Sequence, residues 1–159
     1  MAHMARADAL MKQFHSAVEM DGEKNDWLLS IHVPTDMKLW HVRRALCEQI
    51  RSGSASGANL ADAELIVGEL VANMERHASG VGSFHLEWRG RCPRLLVLDD
   101  GPGFSASPSF EPPDAFAESG RGLDLISSLG LGVRLGNDPA GGAFVLVTLP
   151  VDGAAAQPL

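Results

Sequence analysis

Apolar side chains recur along the first half of the chain in two spacings, one typical of strands and one of helices. Residues 27–33 are mostly apolar and are followed by Pro34, which predicts a strand that ends at the proline. Residues 36–52 and 60–78 carry apolar positions at the spacing of a buried helix face. We therefore expect two helices there, the first of them capped by Thr35.

The second half of the chain predicts four strands and one short helix. The strands are expected at residues 82–89, 94–100, 131–136 and 142–149, and the helix at 121–129. The stretch 101–120 contains four prolines and many small residues, so we expect a loop. The order β-α-α-β-β-α-β-β predicts an α+β fold, a two-layer sandwich of one mostly antiparallel sheet with helices on one face.

Length and composition favour one globular domain between two less regular ends. The chain has 159 residues, of which 45% are hydrophobic and 21% are charged, and a core of this size forms without a disulfide or metal. We place the domain at residues 27–150, an N-terminal extension, partly disordered or helical, at 1–26, and a flexible tail at 151–159. For the extension, helix packing at a dimer interface and simple disorder both stay open.

The charge balance excludes one class of function. The 13 Lys+Arg against 20 Asp+Glu give a formal net charge of −7, which leaves no basic surplus for a nucleic-acid backbone. From Leu95 to Val133 the only basic residue is Arg121. No apolar run approaches the ~20 residues of a membrane-spanning helix, and Cys47 and Cys92 fit no zinc motif. We expect a cytoplasmic protein that binds neither nucleic acid nor membrane directly.

The second predicted helix carries three polar side chains on one line. Glu69, Asn73 and His77 recur every four residues and therefore lie on one side of the helix. Beside them run the apolar residues expected to face the core, Ile66, Leu70 and Met74. The polar line is either a solvated helix edge or a site in which an amide oxygen ligates a hard cation and a carboxylate accepts a proton.

A strand that is predicted to be buried ends in two carboxylates and a Gly-x-Gly turn, with the sequence Asp99-Asp100-Gly101-Pro102-Gly103. Glycine permits a close approach between backbone and ligand, and an aspartate here can accept a hydrogen bond from an exocyclic amine. The simpler interpretation is a tight turn after an edge strand. A dinucleotide-binding turn is excluded, because that fingerprint requires a helix directly after the first turn and prolines prevent one.

Two glycines open the short predicted helix, on either side of Arg121. Gly120 and Gly122 leave backbone N–H groups free at the positive end of the helix dipole, which favours an anion such as phosphate. A plain glycine-rich helix start is the alternative. No Walker A sequence occurs in the chain.

These three motifs, in this order and with a loop before the last, resemble the N, G1 and G2 boxes of the GHKL ATPase superfamily, which has the Bergerat or histidine-kinase-like ATPase fold. The resemblance covers residues 27–150. The short single domain and the Glu-x-x-x-Asn-x-x-x-His form of the first motif are most similar to the anti-sigma factor serine/threonine kinases. The resemblance implies ATP and Mg²⁺ as cofactors.

The resemblance also implies a role for each motif residue. Glu69 would orient or deprotonate an attacking serine hydroxyl, Asn73 would bind Mg²⁺, and Asp99 would recognise the adenine amine. Gly101 and Gly103 would shape the pocket. The other nucleotide-binding residues that the resemblance implies are His77, Gly120, Arg121, Gly122 and Leu123.

The function implied by the resemblance is an ATP-dependent protein serine kinase that is also an anti-sigma factor. Such a protein phosphorylates a STAS-type anti-sigma-factor antagonist and binds a sigma factor in a partner switch. A homodimer fits this family.

Departures from the family pattern keep other functions open. The resemblance implies that the loop at residues 104–119 is an ATP lid, but this loop is short and acidic. The segment 141–144 lacks the threonine that related domains often carry after its glycines. The alternative is therefore a non-catalytic partner-switching module with weak or no use of ATP. A sensor histidine kinase is disfavoured, because the 26 residues around His15 are too few for a dimerising helix bundle. An unrelated α+β domain is the remaining alternative.

Overall fold

The computed structural model describes residues 2–14, 27–77, 81–88, 90–104 and 121–154; for residues 12–14 and 121 it describes the backbone only. The elements are, in chain order, α1 (Ala2–Phe14), β1 (Leu29–Val33), α2 (Leu39–Gly53), α3 (Ala61–His77), β2 (Gly82–Glu87), β3 (Arg94–Asp99), α4 (Arg121–Leu129), β4 (Gly132–Asn137) and β5 (Ala143–Thr148). Within the described ranges, every helix is too short or too polar to span a bilayer.

The five strands form one antiparallel sheet in the order β1-β2-β3-β5-β4. Side chains of the central strand β3 point alternately to the two faces, as in any strand. Leu95 and Val97 lie in the main core on one face, whereas Leu96 and Leu98 lie in a second apolar cluster on the other. Both faces of β3 are covered, which accounts for the unbroken apolar run at residues 95–98 between its charged ends.

Three helices, α2, α3 and α4, pack on the face that carries Leu95 and Val97. Their apolar sides were visible in the sequence spacing, and their largest fully buried side chains are Leu46, Ile50, Ile66, Leu70 and Ile126. The predicted α+β sandwich with an antiparallel sheet is confirmed. Each strand and helix predicted from residue 27 onward is present, with its bounds shifted by a few residues at most. The predicted cap at Thr35 is wrong, because α2 begins at Leu39 and its N-cap residue, Lys38, makes no side-chain capping hydrogen bond.

The remaining helix, α1, lies on the opposite face of the sheet. Its Ala7, Leu10 and Met11 have the i, i+3, i+4 spacing of one helix face, and all three are buried. They pack in the second apolar cluster against residues of β3 and β5, namely Leu96, Leu98 and Leu146. The helix layer expected on one face is thus formed by α2–α4, and α1 adds a layer that the sequence pattern did not predict.

On the part of this second face formed by β2, the side chains of Ser83, His85 and Glu87 are polar and buried. His85 is 1% exposed, with Nδ1 2.9 Å from Ser30 Oγ and Nε2 2.9 Å from Ser83 Oγ. The ring of Trp27 lies beside it, at a centroid distance of 5.2 Å. Burial, with a further contribution from the nearby His3, lowers the pKa of His85 from 6.5 to about 4. The folded protein therefore holds this histidine in its neutral form.

We expect the protein to lose stability as the pH falls below the ordinary pKa of histidine. The unfolded chain protonates the His85 side chain near pH 6.5, and the folded chain protonates it only near pH 4. The contribution of neutral His85 to the free energy of unfolding is therefore complete above pH 6.5 and is lost as the pH falls toward 4. Proton linkage gives a loss of about 2 kcal/mol in the free energy of unfolding between about pH 7.5 and 5. Urea unfolding at both pH values measures it. The control is His85→Gln, whose free energy of unfolding should fall less between the two pH values. Equal falls in the variant and in the unmodified chain would contradict the role of His85.

Candidate functional site

A cavity of about 470 Å³ lies between the helix layer and the sheet. Its walls come from α3, α4, β5, the end of β3 and the turn that follows β3. Its volume is in the range of small-molecule sites, and its lining, as in such sites, is mostly apolar with a few polar groups. The polar side chains are Asn73, His77 and Asp99, which the sequence motifs had singled out.

Helix α3 places the predicted polar line along the edge of this cavity. Its apolar side is buried in the core, while Glu69 and Asn73 are half-buried and His77 is exposed. Asn73 and His77 line the cavity. Glu69 lies one helical turn before Asn73 and instead faces the beginning of α4.

Gly122 brings the first turn of α4 against the same polar line. A β-carbon built on Gly122 would lie 2.8 Å from Glu69 Oε2 and 3.3 Å from Asn73 Oδ1. A larger residue would therefore displace the carboxylate, and the glycine is what permits this close approach. The first and third sequence motifs meet at this contact.

Asp99 ends β3 with its carboxylate oriented by two backbone amides. Its Oδ1 accepts hydrogen bonds from Gly101 N at 3.0 Å and from Ala143 N at 3.1 Å. Both bonds engage the same oxygen, and Asp99 lines the cavity. The second oxygen is therefore able to accept a hydrogen bond from a ligand. Gly101 contributes to the site by orienting Asp99 rather than by lining the cavity.

The turn after Asp99 is held by Asn137, at the end of β4. Gly103 lines the cavity with a φ of 78°, a left-handed conformation that favours glycine. Asn137 Oδ1 accepts from Phe104 N at 2.6 Å, and Asn137 Nδ2 donates to Phe104 O at 2.9 Å. Sequence reasoning missed this role of Asn137, because no local pattern signals a contact with a distant loop.

Arg76 is a second residue that sequence reasoning missed. Its Nη2 donates to Asn73 Oδ1 at 2.6 Å, so a guanidinium group lies at the cavity edge. The i, i+3 spacing of the two residues was an available signal, since side chains three apart on a helix are neighbours. The sequence-based picture, with Arg121 as the local cation, was therefore incomplete.

Some of the predicted site residues fall outside the described part of the chain. Leu123 lines the cavity. Gly120, the side chain of Arg121 and the predicted lid other than Phe104 lie outside the described residues. The predicted anion site at the start of α4 is therefore described at Gly122 alone.

The residues present fit a magnesium ion that takes one ligand from the protein and its other ligands from phosphate and water. In the described ranges, no group of three or more His, Cys, Asp or Glu side chains is arranged to hold a metal ion. Asn73 provides one oxygen of the kind that Mg²⁺ takes, and Mg²⁺ commonly completes its shell with phosphate oxygens and water. Arg76 Nη2 donates to that oxygen, so the oxygen would reach an ion only where this hydrogen bond opens.

Comparison with known proteins gives one family. The family model that describes a histidine kinase-like ATPase domain matches residues 34–147, more than half of the chain. None of the curated proteins compared with the chain matches it. The matched residues include α3, β3 and α4, the three elements that form the cavity with β5.

Proposed function

The chain belongs to the histidine kinase-like ATPase domain family, and on that premise we propose that it is an ATP-dependent protein serine kinase. The family supports the use of ATP. The choice of a hydroxyl group as the acceptor rests on Glu69, whose carboxylate lies against the first turn of α4 and one helical turn from Asn73. A carboxylate at the place where phosphate is expected is suited to accept the proton of a hydroxyl nucleophile. This juxtaposition is the observation that carries the proposal.

In the proposed complex the protein positions ATP and offsets its charge, which is the main requirement of phosphoryl transfer. Asp99 accepts a hydrogen bond from the adenine amine through its second carboxylate oxygen. At the other end of the cavity, Asn73 offers its side-chain oxygen to the metal and Arg76 donates to phosphate oxygens. Bound Mg²⁺ supplies additional neutralisation of the phosphate charge.

Glu69 provides the proton acceptor for the transfer. The bond between the serine Oγ and the γ-phosphorus forms while the bond from that phosphorus to its β-bridging oxygen breaks. The hydroxyl proton passes to the Glu69 carboxylate, and ADP leaves with the electron pair of the broken bond. The partner protein keeps a phosphoserine.

We propose further that the acceptor is a STAS-type anti-sigma-factor antagonist and that the chain also binds a sigma factor. The support is the Glu69-x-x-x-Asn73-x-x-x-His77 motif together with the small size of the domain. In this partner switch, phosphorylation of the antagonist leaves the chain available to its sigma factor. A cytoplasmic setting follows, because both ATP and the transcription machinery are found there.

The test combines nucleotide binding with phosphate transfer. We expect the full chain with Mg²⁺ and radiolabelled ATP to convert a STAS-type antagonist from the same genome into its phosphoserine form, identified by mass spectrometry. ATP binding by calorimetry without transfer to any such antagonist would favour the non-catalytic partner-switching module. Absence of ATP binding would overturn the kinase proposal outright.

A further inference from the structure

Helix α1 contributes one side chain to the sheet corner beside Asp99. Arg6 reaches this corner with its side chain 13% exposed, and its Nη1 lies 2.7 Å from Asp100 Oδ1 while its Nε bonds to the carboxylate of Asp138. Its Nη2 donates to two backbone carbonyls, that of Asp99 at 3.2 Å and that of Gly141. One guanidinium group therefore joins α1, the end of β3 and the β4–β5 turn.

The corner concentrates negative charge that Arg6 offsets. Asp99, Asp100 and Asp138 meet there, and the side chain of Asp138 is only 5% exposed. A nearly buried carboxylate that loses its cation is strongly destabilising. Within the described residues, Arg6 is the cation that pairs with both Asp100 and Asp138.

The β4–β5 turn determines where the carboxylate of Asp99 lies. A β-carbon built on Gly142 would collide with the backbone oxygen of Asp99, so the turn and the strand end are in close contact. Asp138 N donates to Gly142 O at 2.9 Å within this turn. The next residue, Ala143, supplies one of the two amides that bond Asp99 Oδ1. Arg6 thus holds both the main chain of Asp99 and the turn that orients its side chain.

From these contacts we infer that Arg6 is a positioning residue for Asp99, and that α1 supports the nucleotide site from the other face of the sheet. This inference rests on the proposed function, because it concerns how adenine is recognised. Arg6 does not line the cavity and acts through Asp99. Without it, the carboxylates of Asp100 and Asp138 repel each other and the turn no longer fixes the amide of Ala143. The Asp99 carboxylate, the proposed acceptor for the adenine amine, is then no longer held in one orientation.

The test separates positioning from a purely structural ion pair by using two nucleotides. ATP carries the exocyclic amine, whereas purine riboside triphosphate lacks it and binds without that hydrogen bond. We expect Arg6→Gln to weaken ATP binding about tenfold, the size of one hydrogen bond to a charged group, and to leave purine riboside triphosphate almost unchanged. Calorimetric titrations of the full chain with Mg²⁺ measure both affinities, below the unfolding temperature of the variant.

The matched control is Arg44→Gln, which makes the same substitution in an exposed ion pair. Arg44 lies on α2, where its Nε is 2.9 Å from Glu48 Oε1 and both side chains are largely exposed. It does not line the cavity. This variant should bind both nucleotides as the unmodified chain does, so a loss confined to Arg6→Gln is not a general effect of removing an arginine.

A second variant keeps the test decisive if Arg6→Gln does not fold. In Arg6→Gln/Asp138→Asn the buried carboxylate is neutralised, so stability returns while the preference for ATP stays reduced. An unchanged ratio of the two affinities in either variant would overturn the inference and leave the proposed function standing. If the unmodified chain binds neither nucleotide, the proposed function fails first and the inference fails with it.

Discussion

Glu69→Gln is expected to slow phosphoryl transfer to serine by about 10²–10⁴-fold, the usual contribution of a positioned general base, and to leave ATP affinity unchanged. Glutamine keeps the shape of the side chain, so it can occupy the same space beside Gly122. That space is narrow, since a β-carbon built on Gly122 would lie only 2.8 Å from Glu69 Oε2. It has no carboxylate to accept a proton. Single-turnover transfer from labelled ATP to the antagonist, with calorimetry for binding, measures the two quantities separately.

The matched control is Glu75→Gln, because Glu75 is exposed on the same helix and has the same charge. It should transfer phosphate at the rate of the unmodified chain. A normal rate in Glu69→Gln would remove this residue from the chemistry and leave it a role at the start of α4, where a carboxylate is favoured by the helix dipole. Equal losses of rate and of ATP affinity would indicate a binding role instead.

Local periodicity was sufficient to predict the elements from residue 27 onward and the polar side chains that α3 brings to the cavity edge. On α3 the 3.6-residue period separates the buried Leu70 and Met74 from the line that carries Glu69, Asn73 and His77. A helix is a local structure, so side chains that share its face can be identified from spacing alone. Arg76 follows the same rule, since it bonds to Asn73 three residues earlier, and the spacing could have revealed it.

The end of the cavity at Asp99 could be predicted only in part, because its contacts join residues far apart in the chain. Asp99 and its glycines were visible as a motif at a strand end. The groups that fix Asp99 in place were not: Ala143 is 44 positions away, and Arg6 is 93. Such contacts depend on strand order and on the face that α1 covers, neither of which leaves a local pattern.

The two arginines missed by sequence reasoning change the electrostatic picture of an acidic protein. Arg76 lies beside Asn73, and Arg6 lies behind Asp99, on the other side of the sheet end. The first lies at the cavity edge, where we propose that it meets phosphate, whereas the second is paired with Asp100 and Asp138. The net charge of −7 therefore does not describe the local field at the cavity.

Asp99→Asn is expected to weaken ATP binding by about 10- to 100-fold, the cost of losing one hydrogen bond to a charged acceptor and facing a donor in its place. Asparagine retains one oxygen for the amides of Gly101 and Ala143, which engage a single oxygen of Asp99. Its NH₂ group then takes the position of the second oxygen and opposes the adenine amine. The turn is kept, so thermal unfolding should change little.

Purine riboside triphosphate again distinguishes recognition of the base from damage to the site, because it has no amine to oppose the NH₂ group. Its affinity should be nearly the same for Asp99→Asn and for the unmodified chain. Asp36→Asn, at an exposed position before α2, removes the same charge and should change neither affinity. Unchanged ATP affinity in Asp99→Asn would show that adenine is read elsewhere. A parallel loss for both nucleotides would show instead that Asp99 maintains the cavity without contacting the base.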